Sequence, residues 1–197
     1  MPIHNDSRKA AYLAVFALVT VLSAPGLAET PGPGLVNGDF SAPWSTGWTS
    51  ESRDFAGYHR FDNLPDGGVR VRKTMCGFAR LAQEIELGNI DNEFSGKARF
   101  RALANRPGYH AYSALALGFL DEDGRLLGET RFYTISGQKG RPSTDLSHFV
   151  PVEPGNWVDL SLSIKEELRA HLTGVVPAKV KGLRVTLEAF GSGTATC

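Results

Sequence analysis

Tyr112-Ser-Ala-Leu-Ala-Leu-Gly-Phe-Leu120, followed by Asp121-Glu-Asp-Gly124, decides the fold class. Leu115, Leu117 and Phe119 recur at every second position, opposite Tyr112, Ala114, Ala116 and Gly118. Only a strand sends alternate residues to opposite faces, so this stretch reads as a half-buried strand. The Asp-Gly that follows is a hairpin signal, because glycine accepts the positive φ such turns need. The same period of two returns in Lys97–Leu103, Trp157–Ile164 and Gly182–Phe190, where Leu183, Val185, Leu187 and Ala189 alternate with Arg184, Thr186 and Glu188. Shorter strands are predicted at Val69–Arg72, Phe78–Leu87, Arg125–Ile135 and His148–Val152. Only Lys165–Leu172 reads as a helix, ending near Gly174. The pattern predicts an all-β protein, an antiparallel β-sandwich with one short helix near 165–172.

Composition agrees. The chain has 197 residues, 42% of them hydrophobic, with 22 Gly and 11 Pro, which suits one turn-rich domain. Its 21 basic residues balance 21 acidic ones, so bulk charge gives no basis for nucleic-acid binding.

The N-terminus reads as an export signal. Arg8 and Lys9 precede an apolar run from Ala10 to Ala24, and Gly26 and Ala28 place small residues before Glu29. At about 15 residues the run is shorter than the roughly 20 a membrane span needs. The expected organisation is a signal peptide over 1–28, a Pro/Gly tether over 29–34 and a single domain over 35–197, in a secreted or periplasmic protein with no membrane span after cleavage. In that compartment two cysteines imply one disulfide, Cys76 to Cys197. Neither cysteine has a neighbouring His or a Cys-x-x-Cys motif that would make it reactive.

Leu35-Val-Asn-Gly-Asp-Phe40, then Pro43 and Gly47-Trp48, resembles the opening of galactose-binding-like jelly rolls, most closely the carbohydrate-binding modules of bacterial cellulases and xylanases. Leu81-Ala-Gln83 with Ile85 and Leu87, the segment Phe119–Gly124, and Trp157 with Leu160, Leu162, Ile164 and Val180–Leu187 resemble later landmarks of that family in order and spacing. The resemblance implies a binding module, and it places Trp48 and Trp157 in the core. Such domains often hold a structural calcium through an acidic residue after the Phe and an Asp near the last strand. Here Ser41 follows Phe40 and no acidic residue lies in Gly191–Cys197, so the set is incomplete and no cofactor is expected.

Sugar recognition needs aromatic faces and planar polar groups. Tyr112 leads a face whose small residues leave room for a shallow groove, and Arg131, Tyr133, Tyr58 and Arg60 are expected to border it. Arg70, Arg72, Arg99 and Arg101 would form a polyanion-binding patch if their strands were neighbours. Glu84 and Glu86 share a strand face about 7 Å apart, within the range of glycosidase carboxylate pairs, yet same-face glutamates are common on surfaces. His59, His110, His148 and His171 lack His-x-His or His-x-x-x-His spacing, so no metal site is expected. The expected function is non-catalytic carbohydrate binding, with a polysaccharide or glycan as partner and no nucleic acid. A cell-surface or periplasmic protein-interaction domain is the alternative, and a small glycosidase or polysaccharide lyase stands behind both.

Overall fold

A computed structural model describes residues 12–19 (as backbone), 34–65, 67–104 and 107–192. Most of the expected signal peptide and tether, and Cys197, lie outside them. The described chain forms eleven strands: β1 Tyr12–Val19, β2 Thr49–Asp54, β3 His59–Asn63, β4 Val69–Thr74, β5 Gly77–Glu86, β6 Glu93–Arg101, β7 His110–Leu120, β8 Leu126–Ser136, β9 Ser147–Pro151, β10 Trp157–Ser163 and β11 Gly182–Ser192. One helix, α1, runs over Ile164–Ala170, and a 3-10 turn covers Pro177–Lys179. No described helix is long and apolar enough to cross a membrane.

The strands form two sheets. One has the order β10-β6-β1-β4-β3 and the other β2-β5-β11-β7-β8-β9. All pairings are antiparallel except β8 with β9. The all-β sandwich read from the alternation is the fold. Val69, Val71, Ala98 and Phe100 of the five-stranded sheet join Leu81, Leu115, Leu117, Phe119, Val185 and Leu187 of the six-stranded sheet in one buried cluster, as close packing of two apolar faces requires. At the expected hairpin, Asp121 Oδ1 accepts the N–H of Asp123 and of Arg125, and Gly124 has φ +74°.

The opening motif is a turn that anchors to the sandwich. Asn37 sits at φ +52°, where its amide accepts from Ala42 N–H and donates to the carbonyls of Ala42 and Pro43. Gln83 accepts from Val36 N–H at 2.7 Å and donates to Val36 O and Gly47 O. Phe40 packs on Trp48 with ring centroids 4.9 Å apart. Trp48 is buried, as expected. Trp157 is not: it is 40% exposed, because Leu160 and Leu162 take the inward positions of β10 and leave Trp157 beside Arg99 on the outer face. The Arg99 guanidinium lies 5.3 Å from its ring centroid.

Two further placements differ from expectation. The apolar segment Tyr12–Val19, read as the middle of the export signal, pairs along both edges, with β4 on one side and β6 on the other. Arg70 and Arg72 are therefore not neighbours of Arg99 and Arg101, since a whole strand separates them. Arg70 makes two hydrogen bonds to Asp62 Oδ2 instead.

Candidate functional site

The outer face of the six-stranded sheet carries a groove of 390 Å³. Strand register builds it row by row. Glu51, Arg80, Glu188, Ala114 and Tyr133 stand side by side, then Thr49, Ala82, Thr186, Ala116 and Arg131, then Glu84, Arg184, Gly118 and Glu129. The small side chains of Ala82, Ala116 and Gly118 hollow the middle, and the long charged ones rise at the sides. A smaller hollow of 260 Å³, lined by Val36, Gly47 and Gln83–Glu86, shares Glu84 with it.

Glu188 organises the polar wall. Its side chain is 1% exposed. Tyr112 donates to Oε1 at 2.6 Å and Arg80 Nη2 to the same oxygen at 2.9 Å, while Arg131 Nη1 donates to Oε2 at 2.9 Å. Burial opposes ionisation of Glu188, but the Arg80 guanidinium, the Tyr112 hydroxyl and Arg131 outweigh it and hold the carboxyl below its ordinary value. Burial, then the charge of Glu188, pushes the Tyr112 phenol well above its usual range, so it is a fixed donor. Burial works against the Arg131 charge, yet Glu129 at 2.7 Å and Glu188 raise its pKa further. Arg80 is raised likewise, Glu188 overcoming its burial. Arg184 Nη2 meets Glu84 at 2.7 Å on the far side.

Of the five residues expected at a sugar site, Arg131 lines the groove. Tyr112 stands at its end with its hydroxyl tied to Glu188 and its ring stacked on Phe190 at 5.1 Å, so it positions Glu188 and offers no open ring face. Tyr133 is buried beneath the 137–146 loop, where its oxygen accepts from Arg141 N–H at 3.2 Å and its ring meets Phe149 edge-on. Arg60 lies in β3 of the other sheet and Tyr58 just before it: Tyr58 N–H donates to Thr74, and Arg60 pairs with Asp62. The chain crosses between sheets after Asp54, which sequence order alone does not reveal. Glu188, Arg80 and Glu129 were missed as site residues. The signal for Glu188 was the regular spacing of Arg184, Thr186 and Glu188 along β11, but its meaning, like that of Arg80 on β5 and Glu129 on β8, depended on which strands lie side by side.

Asp39, in the opening motif, belongs to the incomplete acidic set noted in the sequence. Asp39 brings one carboxylate, whose Oδ1 accepts from Ser41 N–H at 3.1 Å. That bond holds its pKa low, and no group of three or more metal-binding side chains gathers there among the described residues. Cys76 is buried beside the end of β11, where Gly191 pairs with Gly77, and no free cysteine stands among the described residues.

A second polar chain joins the edges of the two sheets. Ser52 Oγ lies 3.3 Å from His59 Nε2, and His59 Nδ1 lies 2.5 Å from Asp54 Oδ2. Its order is that of a hydrolase triad. However, buried Lys73 approaches the other Asp54 oxygen at 3.2 Å, and the next N–H groups, of Phe55 and Ala56, both donate to Cys76 O rather than framing an oxyanion site. The chain ties β2 to β3. No protein-family model and no curated protein matches this sequence.

Proposed function

We propose that the protein is an exported, non-catalytic module that binds a neutral polysaccharide in the groove over β5, β11, β7 and β8. The observation that carries the reading is the pairing of charges around a small-residue floor. Four carboxylates, Glu51, Glu84, Glu129 and Glu188, stand with three guanidiniums, Arg80, Arg131 and Arg184. Every guanidinium already faces a carboxylate, so a polyanion would meet a surface of slightly negative balance. Sugar hydroxyls suit it better, since each can donate to a carboxylate and accept from a guanidinium in the same contact.

Export is the second part of the proposal, supported by Arg8, Lys9, the apolar run and the small residues before Glu29. A Cys76–Cys197 disulfide is the third. Ser192 ends β11 next to the Met75–Gly77 turn, which leaves a short span for Cys197 to cover.

The test is affinity electrophoresis of the protein collected from a secreting host, through gels carrying neutral or acidic polysaccharides. Retardation in neutral gels, abolished by Thr186→Trp at the centre of the groove, is the expected result. Retardation only by acidic polymers would overturn the neutral assignment, and none in any gel would favour the protein-interaction alternative.

A further inference from the structure

We infer that His148, Glu167 and His171 form a binding site for a divalent transition-metal ion of the zinc class, on the opposite side of β8 from the groove. The site is independent of the carbohydrate reading. His148 comes from β9, while Glu167 and His171 lie one turn apart at the end of α1, where His171 N–H donates to Glu167 O at 2.9 Å. Their ligating atoms all lie within 4.8 Å of one another. Two imidazoles and a carboxylate are a donor set that borderline ions favour and that calcium or magnesium does not.

Two features of Glu167 point to a cation. First, its side chain is 8% exposed, yet no lysine or arginine pairs with it among the described residues. Its charge partner among the described residues is His148, whose Nδ1 lies 2.6 Å from Oε1. A buried carboxylate needs such compensation, and a metal ion supplies it permanently. Second, the hydrogen bonds are arranged as they are around a ligating carboxylate. Buried Thr130 donates to Oε1 at 2.5 Å and fixes the group, while Oε2 accepts no bond among the described residues and remains open to a ligand.

The two histidine rings are stacked, with centroids 3.9 Å apart and planes 11° from parallel. A tetrahedral ion with bonds of about 2.0–2.1 Å holds its donors about 3.4 Å apart. Closure therefore requires one ring to turn out of the stack. His171 is exposed at the helix C-cap and has the freedom to do so. Three protein donors leave a fourth position for water.

Zinc added to the chelator-treated full chain is the probe, followed by calorimetry and by competition with a chromophoric chelator. Cobalt in place of zinc reports tetrahedral geometry through its visible absorption. The expected result is one equivalent bound, unaffected by excess calcium. His171→Ala should weaken it at least about tenfold and His148→Ala/His171→Ala should abolish it. Thr130→Val, which removes the hydroxyl that orients the ligating Glu167 carboxylate, should cost about 10–100-fold. His171 is exposed, so His171→Ala should keep the melting temperature of the metal-free protein, and loss of binding there is not loss of fold. Absence of zinc binding, or binding equally tight in His171→Ala, overturns the site and leaves His148 and Glu167 as a hydrogen-bonded pair that ties β9 to α1.

Discussion

Replacing Glu188 by glutamine tests whether the groove is held together by one buried charge. The substitution keeps the shape and removes the negative charge on which Arg80, Arg131 and Tyr112 converge. Breaking a buried ion pair by deleting one partner costs about 3–5 kcal/mol. Here the cost is reduced because each guanidinium keeps a second carboxylate, Glu129 at 2.7 Å from Arg131 and Glu51 at 3.5 Å from Arg80. Arg80 is also 35% exposed, so water screens part of its charge. The expected loss is about 2–3 kcal/mol, a fall in melting temperature of about 4–12 °C for a chain of this size. Acid should reveal the same group. The folded carboxyl titrates below its ordinary value of 4.5, so its stabilisation is complete above that value and disappears as pH falls through the folded pKa. Urea denaturation across that range should show the parent losing stability towards acid more steeply than Glu188→Gln. A loss below about 0.5 kcal/mol with an unchanged acid limb would refute the assignment of Glu188 as the organising charge, since typical surface changes fall within that band.

Tyr112→Phe removes a hydroxyl that bonds to an ionised group and should cost about 1.5–3 kcal/mol in urea, while leaving the groove open. Trp48→Ala should destabilise by about 3–5 kcal/mol as a core truncation. Trp157→Ala should change stability by less than about 1 kcal/mol, read by thermal melting, because its ring is largely outside the core. Gln83→Ala leaves the N–H of Val36 without its partner and should cost about 1–3 kcal/mol, with faster proteolysis near Val36. Thiol titration of the unreduced, denatured protein should find no free thiol if Cys76 and Cys197 are joined.

Strands with one buried face were legible because alternation survives in sequence. β5, β7, β10 and β11 all show it, and each was placed within a few residues. β2 was not legible: Thr-Ser-Glu-Ser-Arg-Asp is exposed along its length at the sheet edge, so no apolar period marks it. β1 was not legible as a strand for the opposite reason. A strand inside a sheet and the apolar part of a leader have the same composition, and only pairing distinguishes them. The groove floor was legible in Ala116 and Gly118, since small residues on an outer face announce space. Of the residues expected around it Arg131 lines the groove, while the placing of Tyr58 and Arg60 depends on which sheet the chain enters after Asp54. His148 and His171 are far apart in sequence and meet only because α1 folds back beside β9.

The position of Tyr12–Val19 sets a contest over time. A translocation channel threads an extended chain, and a peptidase grips its substrate as a strand with open edges. A strand paired with β4 over Tyr12–Ala17 and with β6 over Ala14–Val19 offers neither. They can serve as a leader only before the sheet closes around them. Under the proposed export, a molecule that folds first would hide its leader, whereas cleavage first would remove the strand that separates β4 from β6. Synthesis rate, chaperone binding and temperature would then decide which of two sheets the cell accumulates, and intact mass of the exported fraction would read the outcome directly.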